Sequence, residues 1–491
     1  MRDHLRLFIN GKPVRVCGED AFLTLSDYLR LRARLTGTKV VCAEGDCGAC
    51  AALIGRVIEG RLRYAPVTSC IMMMFQLDGC HVITIEGLKH DNTLNPIQEA
   101  MVACHGAQCG FCTPGFVVSL HSLLENRSAC DAQAVRRGLV GNLCRCTGYD
   151  SIIDAAMHVD LSRLRAVDTL YPPAEMLGVL VADRAEDVLI RSRDRSAYKP
   201  ATLAQALHFR AANPAAVVVS GATDLGVLHG KQIRRLDSVL FIGDLDELRG
   251  HAVSPDMITI GAGATISDLE RLCETAIPEL AKFLAWFGSP LIKSGGSIAG
   301  NLVTGSPIGD TLPPLMVLGT EIELTATSDS GSVSRRAPIG DFYTGYRRTV
   351  LAPSELVTAV RIPIPSIETI FRLFKVSRRK DLDISTFSAA IKLDMRRGTI
   401  PETIGEIAIA YGGVGPTVLR MIRTEAALRG QRPTLEIFEH AADIAAAEVT
   451  PISDVRGSEQ YRRAVAGNIL LRFWHENFSN IHGLTGSPPM D

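Results

Sequence analysis

The chain has 491 residues, 46% of them hydrophobic, with 52 Lys and Arg against 53 Asp and Glu. That length allows several domains with cores of their own, and a net charge of −1 argues against a nucleic acid or an anionic membrane surface as partner. No run approaches the roughly 18 apolar residues that span a bilayer, and "MRDHLRLFIN" is charged and alternating where a signal peptide is apolar, so a soluble, cytoplasmic protein without a membrane span is expected.

"LRLFINGKPVRV" alternates apolar and polar residues around Asn10-Gly11, a strong hairpin signal. "TLSDYLRLRARL" then places Leu25, Leu29 and Leu35 at helical spacing behind Thr24 or Ser26 as cap. Strands return at "ALIGRVIEGRLRYA" and "HVITIEGL". Residues 1–90 therefore read as one mixed α+β unit.

From "NPIQEAMVACHGAQ" the period becomes helical. "TPGFVVSLHSLLEN" begins at Thr113-Pro114 and would bury Phe116, Val117, Leu120 and Leu124, and "DSIIDAAMHV" predicts a further helix, so 91–162 form a helical unit. Residues 163–195 are charged, contain Pro172-Pro173 and show no sustained period, as expected of a linker. Strands, short helices and Gly-rich turns alternate over 196–367. Residues 368–491 read as a last α+β unit, with strands at "FRLFKVSRR", "TFSAAIKLDM" and "IGEIAIAYGGV" and helices over 421–448 and 458–476.

Of 13 cysteines, all but Cys273 lie in the first 146 residues. One set is Cys42-x4-Cys47-x2-Cys50 with Cys70 further on, the spacing of plant-type 2Fe-2S ferredoxins. A second set is Cys109-x2-Cys112 and Cys144-x-Cys146, with the expected helix start at Thr113 turning its positive end towards the first pair. Either set could instead bind zinc, or be buried as small hydrophobes. Cys17, Cys80, Cys104, Cys130 and Cys273 fit no spacing.

"VVVSGATDLGV" (217–227) runs from an apolar strand into a Gly turn, and "KSGGSIAGNLVTGSPIGD" (293–310) carries five glycines. Such density lets backbone amides close on a dinucleotide diphosphate, although ordinary turns can look the same. "ITIGAGATISDLE" lacks the third small residue of a Rossmann fingerprint, with Ile266 in its place. There Ser267 and Glu270 read as a helix capping box. The His residues form no metal motif, and Asp381 with Asp383 read as solvated loop charges, so no general base is named.

"EGDCGAC", "QCGFCTPG" and "LCRCTGY", in this order, resemble the two-cluster iron–sulfur domain of the molybdenum hydroxylases, the xanthine dehydrogenase and aldehyde oxidase family. The resemblance implies an α+β multidomain architecture: a β-grasp 2Fe-2S ferredoxin-like domain, a helical 2Fe-2S domain, and a vanillyl-alcohol-oxidase-type FAD domain with a C-terminal α+β subdomain. Two 2Fe-2S clusters would be held by Cys42, Cys47, Cys50 and Cys70 and by Cys109, Cys112, Cys144 and Cys146. Gln108 would approach a molybdopterin carried by a partner chain. FAD would be lined by Val218, Val219, Ser220, Gly221, Ala222, Thr223, Asp224 and Leu225, with Ser297, Ile298, Ala299, Gly300 and Asn301 meeting its diphosphate. Phe287 would stack near the isoalloxazine, and Asp310, Val357 and Lys375 would add contacts. Tyr346 would lie beside the flavin, with 375–385 as a mobile loop controlling access.

The implied role is that of an electron-transfer subunit, most readily in a xanthine dehydrogenase. It would pair with a molybdopterin-binding large subunit as a heterotetramer of two copies of each chain, with NAD+ or another acceptor. After "CRCTGY" the chain continues Asp150-Ser151, where Arg-Pro is usual in xanthine dehydrogenases, which leaves an aldehyde or another N-heterocycle open as substrate. The reading from another class is a zinc-binding structural or assembly subunit.

Overall fold

Asn10 and Gly11 both take positive φ, 49° and 76°, as a two-residue type I′ turn requires. They fold His4–Ile9 back on Lys12–Cys17. In this computed structural model, which describes residues 1–479 except 90, 92, 330 and 397–401, that hairpin is one edge of a five-stranded mixed sheet. Its order is Lys12–Cys17, His4–Ile9, His81–Ile83, Ala51–Ile58, Arg61–Thr68, with His81–Ile83 parallel to the first strand. The helix expected after Thr24 is shorter than its spacing suggests. Thr24 caps it, but Leu25–Asp27 passes into a π-turn over Tyr28–Arg32 and the chain leaves through Arg34 at φ 58°. Leu25 and Leu29 are buried all the same.

His81 ties this sheet to its turn. The Gly11 N–H donates to His81 Nε2 at 3.0 Å, so the ring proton lies on Nδ1, 2.7 Å from the Tyr64 hydroxyl.

The helical unit holds Pro96–Ala103, Thr113–Leu124, Ala132–Gly138 and Asp150–Met157. Phe116, Val117, Leu120 and Leu124 are buried, as the 3.6-residue period requires. The 163–195 segment is more ordered than its composition suggests. Leu177–Arg184 is a helix, and Val188–Ser192 is a strand antiparallel to Arg195–Lys199. Its charges are spent on contacts: Arg184 reaches the Val57 and Asp244 carbonyls and Asp246.

Beyond it, a four-stranded sheet runs in the order Val188–Ser192, Arg195–Lys199, Ser238–Phe241, Val217–Val219. A five-stranded antiparallel sheet follows, with Leu356–Pro363 at its centre. The last unit is a four-stranded antiparallel sheet covered by Leu435–Glu448 and Glu459–Phe478. Before Ile266–Ala276 the capping box is Thr265 with Asp268, not Ser267 with Glu270, because the helix starts two residues earlier than expected. Among the described residues no helix is long and apolar enough to cross a membrane.

The first sheet and the four-stranded sheet share one core. Leu5, Leu7, Phe75 and Val82 pack in the same cluster as Val188, Val219, Val239 and Phe241. At its edge the fully buried Asp78 accepts from Arg2 Nη1 at 2.9 Å, Arg2 Nη2 at 3.0 Å, the Arg6 N–H at 2.9 Å and Lys199 Nζ at 2.9 Å.

Two outcomes are expected. Asp78→Asn strands two buried cations and should lower the free energy of urea unfolding by about 3–5 kcal/mol. For His81, burial lowers the pKa from 6.5 to about 4, so the unfolded state binds the proton first on acidification. Its stabilisation is complete above about pH 6.5 and is lost as pH falls towards 4, by up to about 3 kcal/mol. Unfolding curves of His81→Gln should lack this component across that window.

Candidate functional site

Each thiol set gathers at a loop that glycine allows to turn. Gly45 and Gly48 take φ 86° and 65°, and the loop they shape brings the Cys42 thiol against Cys47 and Cys70, and Cys50 against Cys70. Hydrogen bonds from Cys47 and Cys70 hold the Cys42 thiol far below its ordinary pKa. The Cys70 thiol does the same for Cys50, while Cys47 and Cys70 themselves are pushed up. Four thiols in mutual contact thus share one largely buried spot, and metal binding there would release their protons.

In the second set the Cys109 and Cys146 sulfurs lie 3.6 Å apart, and Cys112 contacts Cys144. Burial and the Cys144 contact push the Cys112 thiol up to about 12. Burial opposes ionisation of Cys144, but its pKa is lowered, with the Thr147 hydroxyl at 3.2 Å and N–H at 3.5 Å from its sulfur. The Thr113 hydroxyl, at the helix start behind Cys112, is buried without a partner.

Among the described residues no group of three or more His, Cys, Asp or Glu surrounds a single metal-ion position. Each set nevertheless brings together four thiols, the number and kind of ligand that a 2Fe-2S cluster takes. The residues present therefore fit 2Fe-2S clusters. Cys17, Cys80, Cys104, Cys130 and Cys273 stand outside both sets, and Cys80 instead accepts from Arg56 Nη1 at 3.3 Å.

The two loops touch through backbone. The Leu143 N–H donates to the Cys47 carbonyl at 3.0 Å. A Cβ on Gly48 would lie 2.4 Å from the Gly141 carbonyl oxygen, and one on Gly115 2.2 Å from the Gly48 carbonyl oxygen.

The Gly-rich segments also meet. Val217–Val219 ends at Ser220-Gly221, and a Cβ on Gly221 would lie 2.1 Å from the Gly295 carbonyl oxygen and 2.8 Å from the Ser297 nitrogen. Ala222 takes φ 62° ahead of the helix Thr223–Gly230, and Ser297 caps Ile298–Thr304 by accepting from the Gly300 N–H at 3.2 Å. The Ser220 hydroxyl is buried with no partner. A cradle only glycine allows, beside an orphaned hydroxyl, fits a bound diphosphate.

Asn301 accepts from Thr311. Asp310 pairs with Lys375 at 2.8 Å and accepts from Ser385 at 2.6 Å, and Lys375 also donates to the Trp286 carbonyl at 3.1 Å, next to Phe287. Asp310, Lys375 and Phe287 thus converge. Val357 is buried on the strand packed beneath Ile298–Thr304. Asp224 lies 3.8 Å from Arg347, whose neighbour Tyr346 is exposed. Asp383 is held by the Arg379 N–H and guanidinium, which accounts for it as a loop anchor. Sequence reading missed Ser385 and Arg347, because nothing in their local pattern shows which carboxylate they face.

Residues 84–157 match the [2Fe-2S] binding domain, 191–365 the FAD binding domain in molybdopterin dehydrogenase, and 372–477 the CO dehydrogenase flavoprotein C-terminal domain. The chain belongs to the iron–sulfur and FAD part of the molybdenum hydroxylase family. It is 30% identical to the xanthine dehydrogenase of Emericella nidulans, over 98% of this chain and 39% of that protein. It is also 30% identical to that of Drosophila subobscura, over 95% of this chain and 39% of that one. The chain thus spans about two fifths of the length of these curated relatives. Among solved structures it resembles carbon monoxide dehydrogenase from Hydrogenophaga pseudoflava, with TM-score 0.52 and 26% identity over 56% of this chain and 94% of that chain. This family member is an oxidoreductase component that carries FAD and 2Fe-2S chemistry.

Asp310→Ala should cost about 3 kcal/mol, since it leaves the nearly buried Lys375 ammonium without its counter-charge. Lys375→Met keeps the apolar stem and should cost less. Urea unfolding of the two variants checks the order.

Proposed function

We propose that this chain is the electron-transfer subunit of a molybdenum hydroxylase, most specifically of a xanthine dehydrogenase that oxidises xanthine and hypoxanthine with NAD+ as acceptor. The observation that carries the reading is a gradient of burial across two thiol sets. Cys109 and Cys146 are exposed, beside the exposed Phe111, Leu143 and Gln108, whereas Cys47, Cys50 and Cys70 are buried against the flavin-side loops.

Cys109, Cys112, Cys144 and Cys146 hold the cluster that faces a molybdopterin-binding large subunit, with Gln108 at the contact and two copies of each chain in a heterotetramer. Cys42, Cys47, Cys50 and Cys70 hold the second. When bound, the clusters carry single electrons, and FAD collects a pair and delivers it to the acceptor as hydride.

Residues 218–225 would line the FAD and 297–301 would meet its diphosphate, with the Ser220 hydroxyl available as a donor. Phe287 packs on the isoalloxazine, Lys375 and Asp310 hold each other in place near it, and Val357 supports the floor. A cavity of about 620 Å³ opens beside them, lined by Trp286, Lys375, Arg378, Arg379, Lys380 and Arg472 among others. That many cations suit the phosphates of a dinucleotide such as NAD+. Residues 375–380 form part of its wall, and the 375–385 loop to which they belong would control entry.

Asp150 and Ser151, at the start of Asp150–Met157, stand where Arg-Pro is usual in xanthine dehydrogenases. This favours the second reading, an aldehyde or other N-heterocycle hydroxylase with the same subunit.

The test is purification with the partner chain, metal and flavin analysis, and titration with xanthine and NAD+. Visible iron–sulfur and flavin absorption, bleached by xanthine and restored by NAD+, is expected. Stoichiometric zinc without flavin would sink the proposal. Cys146→Ala should lose about half the iron–sulfur absorption and all electron transfer from xanthine to FAD, yet leave xanthine binding to the partner unchanged.

A further inference from the structure

Between the buried thiols and the flavin loops lies one contact with no room in it. A Cβ placed on Gly226 would lie 1.9 Å from the Ile71 carbonyl oxygen, 2.8 Å from its carbon and 3.0 Å from the Ile71 Cβ. Real side chains never approach backbone so closely. Gly226 belongs to the helix Thr223–Gly230, which continues directly from the Ser220-Gly221 turn, and Ile71 follows Cys70 in the chain. The helix therefore rests, backbone on backbone, on the peptide that leaves a cluster thiol.

Three further observations hold that contact shut. Ile71 is buried with Cys50 and Cys70 in an apolar plug, and Val40, Val227 and Ile292 pack around it. Ile292 stands just ahead of the Gly295–Ser297 turn, and a Cβ on Gly45, inside the thiol loop, would lie 2.8 Å from its Cδ1. Gln76 Nε2 donates to the Gly221 carbonyl at 3.4 Å. The loop carrying the thiols is thus clamped to both flavin-side turns with Ile71 at the centre.

We infer that Gly226 is a positioning residue: by lacking a side chain it sets the gap between the Cys42/Cys47/Cys50/Cys70 cluster and FAD, and the Ile71–Gly226 contact is where electrons cross. This rests on the proposed electron-transfer role and names a part of the path that no ligand motif marks. Each crossing takes one electron from a ferrous iron, which returns to ferric, and gives it to FAD. Two crossings, with protons from water, complete the reduction of the flavin.

Gly230 supplies the control. It lies one turn further along the same helix, and a Cβ there would meet the Cys70 carbonyl oxygen only at 3.8 Å, ordinary contact. Gly226→Ala and Gly230→Ala both add one methyl group to a glycine of this helix, but only the first must push the helix off the thiol loop. The full chain, loaded with iron–sulfur and FAD, is given about one electron by pulse radiolysis, and absorbance follows its equilibration between clusters and flavin. This rate does not depend on where the electron enters.

Electron transfer weakens as its centres move apart, so Gly226→Ala, which forces the helix off the thiol loop, is expected to slow equilibration several-fold. Its iron content, FAD content and cluster circular dichroism should be those of the unaltered chain, and Gly230→Ala should equilibrate at the unaltered rate. An unaltered rate in fully loaded Gly226→Ala overturns the inference, as does equal slowing in Gly230→Ala. Should Gly226→Ala fail to fold, Ile71→Ala removes the side chain that packs the thiol loop against Val227 and Ile292 and so loosens the same gap. It should slow the same step, and an unaltered rate there also overturns the inference. Absence of cluster absorption in the unaltered chain would defeat the underlying functional reading instead, before any variant is compared.

Discussion

Asp78 is a fully buried carboxylate that two cations and a backbone N–H make tolerable. A charge so placed is stable only with its partners present, and here they come from separate stretches of chain. Arg2 and Arg6 lie at the first strand, and Lys199 ends the strand Arg195–Lys199 on the flavin side. A second buried node repeats the arrangement. Burial opposes ionisation of Asp244, but Arg56, Arg184, Lys199 and Arg249 hold its carboxyl below the ordinary range. Arg56 belongs to the ferredoxin-like sheet and Asp244 to the flavin side. Pulling the two units apart would expose or strand all of these charges at once. Their shared apolar core then fixes register where the ion pairs fix orientation.

On that fixed frame, glycine decides how close the functional loops come. Gly48 meets Gly115 and Gly141, so the first thiol loop touches both the helix behind Cys112 and the turn before Cys144. Gly141 in turn faces Ser289 on the flavin side, where a Cβ would lie 2.5 Å from the Ser289 Cβ. At Gly48 and Gly115 the nearest obstacle is backbone, and at Gly141 it is the Ser289 side chain. A side chain at any of the three would force its neighbour to shift, so these glycines set how closely the two thiol loops and the flavin side approach.

Much of this was legible in the sequence where the signal is local. The Asn10-Gly11 hairpin, the helix starting at Thr113-Pro114 and both cysteine sets depend on spacing over a few residues, and the structure contains each of them. What sequence could not carry are contacts between distant segments. Residues 163–195 looked like a linker because their charges have no period, yet Arg184 spends its guanidinium on groups near residues 57 and 244. Gly226 looked like one more turn glycine, since the carbonyl that excludes its side chain lies more than 150 positions away. The pairing of Asp310 with Lys375 and Ser385 is hidden for the same reason. The capping box moved from Ser267 to Thr265 on a smaller scale, because two overlapping patterns compete within the six residues from Thr265 to Glu270 and only packing chooses between them.

The burial gradient also bears on the energetics of the proposed path. The first thiol loop is acidic: Asp46 has its pKa raised by burial, by Cys42 and by Glu44. Lys231, paired with Glu44, and Arg379 offset part of that charge. A cluster held by this loop would take up an electron where burial and two carboxylates already disfavour negative charge. The second set meets neither penalty to the same degree, since Cys109 and Cys146 face solvent and Thr147 donates to Cys144. With the surface set the easier to reduce and the buried set the harder, the step between them would run uphill, so inward transfer along the proposed path would depend on FAD as the final sink. The same charges would not alter which substrate a partner chain binds, because none of them lies at the exposed end of the path.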